Sequence, residues 1–247
     1  MFCVASLIPS PPALVPELGG AAGAANDGDV AVLRTAVLTA AAELASRASR
    51  WIVVGSDHAN RVIGADAVGT FRGYGVDVRV GLSGVVGKPD PELPLPVLIA
   101  GWLRAQVAPD AVAEARLIDA ESSAAECVAF GARLRAELDA ETEPYGVLVI
   151  GDGAATLSLK APRYFDERAE GVQAEIDRAL AAGDRAALAA LDQRLCAELD
   201  VAGRPAYQVL AGLFDTDDIG PKVETLYAAA PFGVAYQVSV WRPGSDA

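Results

Sequence analysis

The chain has 247 residues, 52% of them hydrophobic, which supplies apolar material for one buried core at the length of an ordinary α/β unit. Its 33 acidic side chains outnumber 20 basic ones, giving a net charge of −13 with no local Lys/Arg cluster to offset it, so nucleic acid is excluded as an expected partner. No apolar run reaches the roughly 18 uncharged residues that a spanning helix needs, which removes the membrane from the expected partners.

The elements follow in chain order. Residues 3–8 form an apolar strand, and Pro9, Pro11 and Pro12 close it with a stiff turn. These prolines and Pro16, together with the lack of any basic residue before them, argue against a signal-peptide helix. Residues 30–48 carry Val30, Leu33, Val37 and Leu44 at helical spacing. Strands are expected at 51–55, 76–80, 116–118 and 146–151, and residues 81–96, rich in Gly and Pro, read as a long loop over one end of the sheet. Two helices fill residues 166–199, the first ended by Gly183 and the second capped by Asp184. In the second, Leu188, Leu191, Leu195 and Leu199 share one face. A helix is expected near Tyr207 and Leu213. The last strand spans 233–241, with Val234, Tyr236, Val238 and Val240 on one side, and a frayed tail follows at 242–247. The alternation of strand and helix predicts one three-layer α/β domain over residues 1–247, with a central mixed sheet and helices on both faces. The three cysteines, Cys3, Cys127 and Cys196, are odd in number and widely spaced, as expected of free thiols in a reducing cytoplasm.

Three loops at strand ends could carry chemistry. Ser10 lies between prolines and reads as a residue held in a rigid turn. The segment Gly55-Ser56-Asp57-His58-Ala59 holds the only histidine of the chain, which rules out any centre built on several imidazoles. His58 is either a hydrogen-bonded loop residue or a ligand, and its immediate neighbour Asp57 is poorly placed by sequence to orient it. The third loop runs through Gly151, Asp152, Gly153 and Thr156. Its glycines allow close backbone approach and an anion on free N–H groups, but it lacks a third glycine and has no basic residue before Lys160, so a tight turn is the simpler reading.

Taken together, the three loops resemble the catalytic chain of the class III extradiol ring-cleavage dioxygenases. In that family a first strand ends in His-Pro, whose histidine binds Fe(II). A later strand ends in Asn-Asp-His-Ala with the second histidine ligand, and a third is followed by Gly-x-Gly-Gly-x-Ser-His with the acid/base histidine. Here Pro9-Ser10-Pro11-Pro12, Ser56-Asp57-His58-Ala59 and the stretch from Val149 to Leu157 stand in that order, with Ala161-Pro162-Arg163 where the family often has Gly-Pro-Arg. The resemblance covers roughly residues 3–241 and implies the family's α/β fold.

It also implies a mismatch. Ser10 stands at the first iron ligand, Leu157 at the acid/base residue and Gly203 at the glutamate ligand, with Glu198 and Asp200 the nearest carboxylates. Only His58 matches, as a vestigial ligand. Fe(II) chemistry of this type needs two imidazoles and a carboxylate on one face, and leucine transfers no protons. The resemblance thus leads to a pseudoenzyme: no cofactor, Fe(II) only if the family site were functional, and a small aromatic or anionic ligand, a second copy or a protein partner bound instead. Ser10, Asp57, His58, Gly151, Asp152, Gly153 and Thr156 are the candidate binding residues, expected around one cavity. Two alternatives stand beside this reading: a metal-assisted enzyme remodelled around His58, and an anion- or nucleotide-binding protein using the Gly151–Gly153 turn.

Overall fold

The structure is a computed structural model that describes residues 1–19 and 28–244. Its centre is a seven-stranded sheet in the order β3-β6-β2-β7-β1-β9-β8. The strands are β1 (Phe2–Ile8), β2 (Arg50–Asp57), β3 (Arg61–Ile63), β6 (Val112–Asp119), β7 (Tyr145–Ile150), β8 (Lys222–Ala229) and β9 (Tyr236–Arg242). Strands β6, β2, β7 and β1 are mutually parallel, β3 joins β6 and β9 joins β1 antiparallel, and β8 pairs antiparallel with β9. The short strands β4 (Val68–Thr70) and β5 (Arg79–Gly81) form a separate ribbon.

Each face of the sheet buries its own cluster. On one side α1 (Asp29–Arg47) and α2 (Leu95–Val107) bring Leu33, Val37, Leu44 and Leu98 against Val53, Leu148 and Val238. On the other, α3 (Ala124–Asp139), α4 (Ala169–Ala182), α5 (Arg185–Ala189), α6 (Gln193–Glu198) and α7 (Arg204–Leu213) bring Leu134, Ile176 and Leu210 against Val54, Val147 and Trp241. The parallel strands are apolar on both sides because both sides are covered. The chain is a single α/β domain with helices on both faces, as its alternating pattern implies.

Several local expectations need correction. The strand expected at 76–80 is β5, three residues long and outside the main sheet, while 116–118 is the end of the longer β6. The last strand begins at Tyr236 and continues to Arg242, which pairs with Lys222, so the expected fraying does not start there; residues 245–247 lie outside the described part. The helix expected from 184 breaks in two: Asp184 accepts from the Ala187 amide, and Asp192 caps α6 through the Leu195 amide. Leu188 and Leu199 are fully buried, and Leu191 and Leu195 pack partly buried against the same core. The loop at 81–96 ends two residues into α2, whose first turn takes a proline, where a missing N–H costs no helical bond.

Helices α3 and α7 approach so closely that only glycine fits between them. A Cβ at Gly131 would lie 2.2 Å from the Val209 carbonyl oxygen, and one at Gly212 would lie 2.1 Å from that of Val128. Relief would require one backbone to move, so Gly212→Ala is expected to cost about 3 kcal/mol, the upper part of the range for overpacking. Urea unfolding measures this; an unchanged midpoint would contradict the close approach.

Candidate functional site

The parallel strands bring the C-terminal ends of β1, β2, β6 and β7 to one end of the sheet. From β1 the chain passes to the face carrying α1, and from β7 to the opposite face carrying α4. Adjacent loops therefore part between β1 and β7, the kind of crevice where open α/β sheets hold ligands.

In this protein the crevice is bridged from within. The Ser10 amide donates to Asp152 Oδ1 at 2.8 Å and the Ser10 hydroxyl donates to Oδ2 at 3.0 Å, while the Gly151 amide donates to the Ile8 carbonyl at 3.0 Å. Asp152 has no cationic partner among the described residues. Burial raises its carboxyl above the ordinary aspartate value, the two Ser10 bonds pull the other way, and the negative charge of Asp200 adds to the rise. Tyr207 and Tyr236 flank it. Both phenols are pushed up, first by burial and then by the Asp152 charge. The Tyr207 hydroxyl is spent on the Gly151 carbonyl at 3.1 Å.

His58 lies apart from this contact. Its side chain is 80% exposed, and its Nδ1 is 2.7 Å from Asp57 Oδ1, which also accepts the His58 amide at 2.8 Å. Arg61 holds the other oxygen at 2.9 Å. Burial works to raise the Asp57 carboxyl, but the bonds from His58 and Arg61 outweigh it and leave the group below its usual value. Asp57 does orient His58. Sequence adjacency obscured this, because the carboxylate folds back over its neighbour's amide and ring together.

The turn after β7 is not an open anion cradle. The Gly153 amide donates to the Ala235 carbonyl, that of Ala154 to Gln173 Oε1, and that of Ala155 to the Leu199 carbonyl. Thr156 donates its hydroxyl to the same Leu199 carbonyl. Leu157 packs against the helical core. Gly203 donates its amide to the Asp152 carbonyl at 2.7 Å, and a Cβ there would come within 2.5 Å of the Tyr207 ring. A glutamate at this position has no room. Glu198 is held by Arg168 and Arg194, and Asp200 by Arg163 at 2.7 Å, so neither neighbouring carboxylate supplies what Gly203 lacks.

The expected single cavity is therefore divided. Ser10, Gly151 and Asp152 meet directly; Gly153 and Thr156 tie the same turn to β9 and α6; Asp57 and His58 stand outside on their own loop. Ser56 donates to the Ala202 carbonyl at 3.0 Å and lines a cavity of about 310 Å³ with Asp200, Ala202 and Arg204. A larger one of about 750 Å³ runs under the loop after Thr156, lined by Leu159, Arg163, Tyr164, Phe165 and Asp200. Neither lining includes Ser10, His58 or Asp152. Among the described residues no three His, Cys, Asp or Glu side chains are arranged to hold a metal ion, and a serine, an exposed histidine and a glycine do not fit an Fe(II) centre.

Sequence reasoning named Asp200 only as a carboxylate near the third-ligand position, and it missed Arg204. Asp200 adopts a left-handed conformation at φ 54° and borders both cavities. Arg204 is 3% exposed and donates to the carbonyls of Ser122 and Ala120 and to Gln208 Oε1, pinning the loop after β6 to α7. The i, i+4 spacing of Arg204 and Gln208 was the available signal for the second.

No protein-family model matches the sequence, and no curated protein matches it. The solved structure of an uncharacterized protein from Escherichia coli K12 is similar with a TM-score of 0.54 at 15% identity, covering 97% of this chain and 99% of that one. At that identity the likeness supports the fold alone. No helix among the described residues is long and apolar enough to cross a membrane.

The raised carboxyl of Asp152 has a definite sign in stability. A carboxyl whose folded value exceeds its unfolded one favours the fold when protonated, and that contribution is lost as pH rises through the folded value. Asn at 152 removes the charge, still accepts the Ser10 amide and can donate to the Ser10 oxygen. Asp152→Asn is expected to melt above the wild type at neutral pH, with the gap narrowing as the solution is acidified through the raised carboxyl range. Thermal melts across pH test this; a gap that widens on acidification would contradict it.

Proposed function

We propose that this chain is a dioxygenase-like binding protein in which the positions of an iron centre have been turned to internal structure, and that it takes a small ligand without cleaving an aromatic ring. The observation that carries the reading is the Ser10–Asp152 contact. The residue at the first ligand position of the resemblance spends both its amide and its hydroxyl on one carboxylate. The crowded Gly203 and the packed Leu157 support the same reading at the other two positions. The open cavity of about 750 Å³ beside the sheet end falls within the usual size of small-molecule sites, and its Tyr164 and Phe165 suit an aromatic ligand.

The oriented Asp57–His58 pair favours a second reading, a remodelled enzyme in which His58 works as a base or a metal ligand. Asp57, itself held by Arg61, fixes one edge of the ring while the side chain stays open to solvent. One experiment separates the two. The protein is expressed in iron-supplemented medium, its Fe, Mn and Zn are quantified anaerobically, and oxygen uptake is followed with protocatechuate and simple catechols. The binding-protein reading predicts far less than one metal per chain and no substrate-dependent uptake. Near one iron per chain, with uptake lost in His58→Ala, would overturn it in favour of the remodelled enzyme.

A further inference from the structure

The segment between Leu157 and Asp166 is a loop closed at its base. The Asp166 amide donates to the Thr156 carbonyl at 3.0 Å, and the Leu157 amide donates to the Gly233 carbonyl at 3.2 Å. Beyond these ties none of residues 158–165 is buried, and the Lys160 and Ala161 amides turn back onto Ser158. Gly233 packs against Ser158 and Ala161. The Arg163–Asp200 pair, at 2.7 Å, is the only hydrogen bond or ion pair joining residues 158–165 to the rest of the described residues. A segment with no buried side chain and one polar tie opens far more readily than the fold that carries it.

Asp200 makes that tie from a strained position. The Asp200 and Val201 amides donate to the Ala197 and Cys196 carbonyls, a turn that ends α6 with Asp200 left-handed at φ 54°. Glycine is the usual residue there and would close the helix with less strain. What aspartate adds is a carboxylate, and Arg163 takes it. The two side chains come from different walls of the cavity of about 750 Å³: Arg163 with Tyr164 and Phe165 on the loop, Asp200 with Ala197 at the end of α6. They are 65% and 41% exposed, and a pair so open to solvent shifts an equilibrium by no more than about fivefold, strong enough to hold a loop and weak enough to release it.

We propose that residues 158–165 are a lid over this cavity, hinged where Thr156 meets Asp166 and held down by the Arg163–Asp200 latch, and that a ligand enters when the latch parts. The role as a gate rests on the cavity taking a ligand. The motion is measured on the protein alone, so either reading can fail without the other.

Limited trypsin digestion of the full chain, with fragments identified by mass spectrometry, follows the motion through the Lys160–Ala161 peptide of the lid. Cleavage there requires the segment to leave the body of the protein, and its rate tracks the open fraction. Asp200→Asn and Asp200→Gly both suit the left-handed turn and remove the charge. Each should speed this cut about threefold without lowering the melting temperature. Arg163→Gln should act alike, and the Arg163→Gln/Asp200→Asn double variant should be no faster than either single one. High salt should bring the wild type toward the variants, measured against a small peptide substrate. A Lys160 cut equally fast in the wild type and every variant, accelerations that multiply in the double variant, or no cut at Lys160 short of global unfolding would overturn the proposal.

Discussion

The Asp152 carboxylate is packed into protein just past the end of the central strand β7, and among the described residues no cation balances it. Ser10 supplies two donors across the gap between β1 and β7, and the Gly151 amide on the Ile8 carbonyl adds a third bond between the chains leaving these two strands. A carboxylate removed from water without such donors would cost several kcal/mol or would take up a proton. The consequence reaches the next layer. Gly203 seats on the Asp152 carbonyl, and the Tyr207 phenol stays neutral against the Gly151 carbonyl. The crevice that parallel topology opens is thus filled by the chain's own hydrogen bonds.

Buried, uncompensated carboxylates gather at functional sites, where the environment rather than stability selects them. Asp152 has that character, yet its two oxygens are satisfied by a serine and not by a substrate or an ion. The proposed binding-protein reading accounts for the contrast: the polar groups collected at this end of the sheet bond to one another. Fold and site part company easily, because the sheet depends on two apolar clusters that lie on its faces and not at its edge.

The same division explains what could be read from sequence. Strands β1, β2 and β7 were legible as unbroken apolar runs, because burial on both faces removes any alternation. Helix α1 was legible from its apolar spacing, and the end of α4 from Gly183 followed by the Asp184 cap. Strand β8 was not, since it lies at the sheet edge with Lys222, Glu224 and Thr225 exposed and has little pattern to show. Helix α2 was hidden by the prolines before it and by burial of the unbroken run from Val97 to Arg104, which erases the polar half of a helical stripe there. At the site, Ser10 could be assigned to a rigid turn, but its partner could not be identified. The contact joins residues 142 positions apart, and only the strand order brings them together. His58 was visible as a lone histidine, whereas its exposure could not be read from sequence, because it depends on where β2 ends, level with β6 at the Asp57–Asp119 pair.

Ser10 and Asp152 act as one unit, and a double-mutant cycle measures that directly. Stability of the wild type, Ser10→Ala, Asp152→Ala and the double variant is determined by urea unfolding at neutral pH. In the wild type, losing the Ser10 hydroxyl leaves a buried carboxylate oxygen unpaired; in the Asp152→Ala background the same loss has nothing to strand. Ser10→Ala is therefore expected to be clearly destabilising in the first background and nearly neutral in the second, a coupling of about 1 kcal/mol or more. Equal costs in both backgrounds would mean that the two residues do not depend on each other, and the internal closure of the crevice would be contradicted.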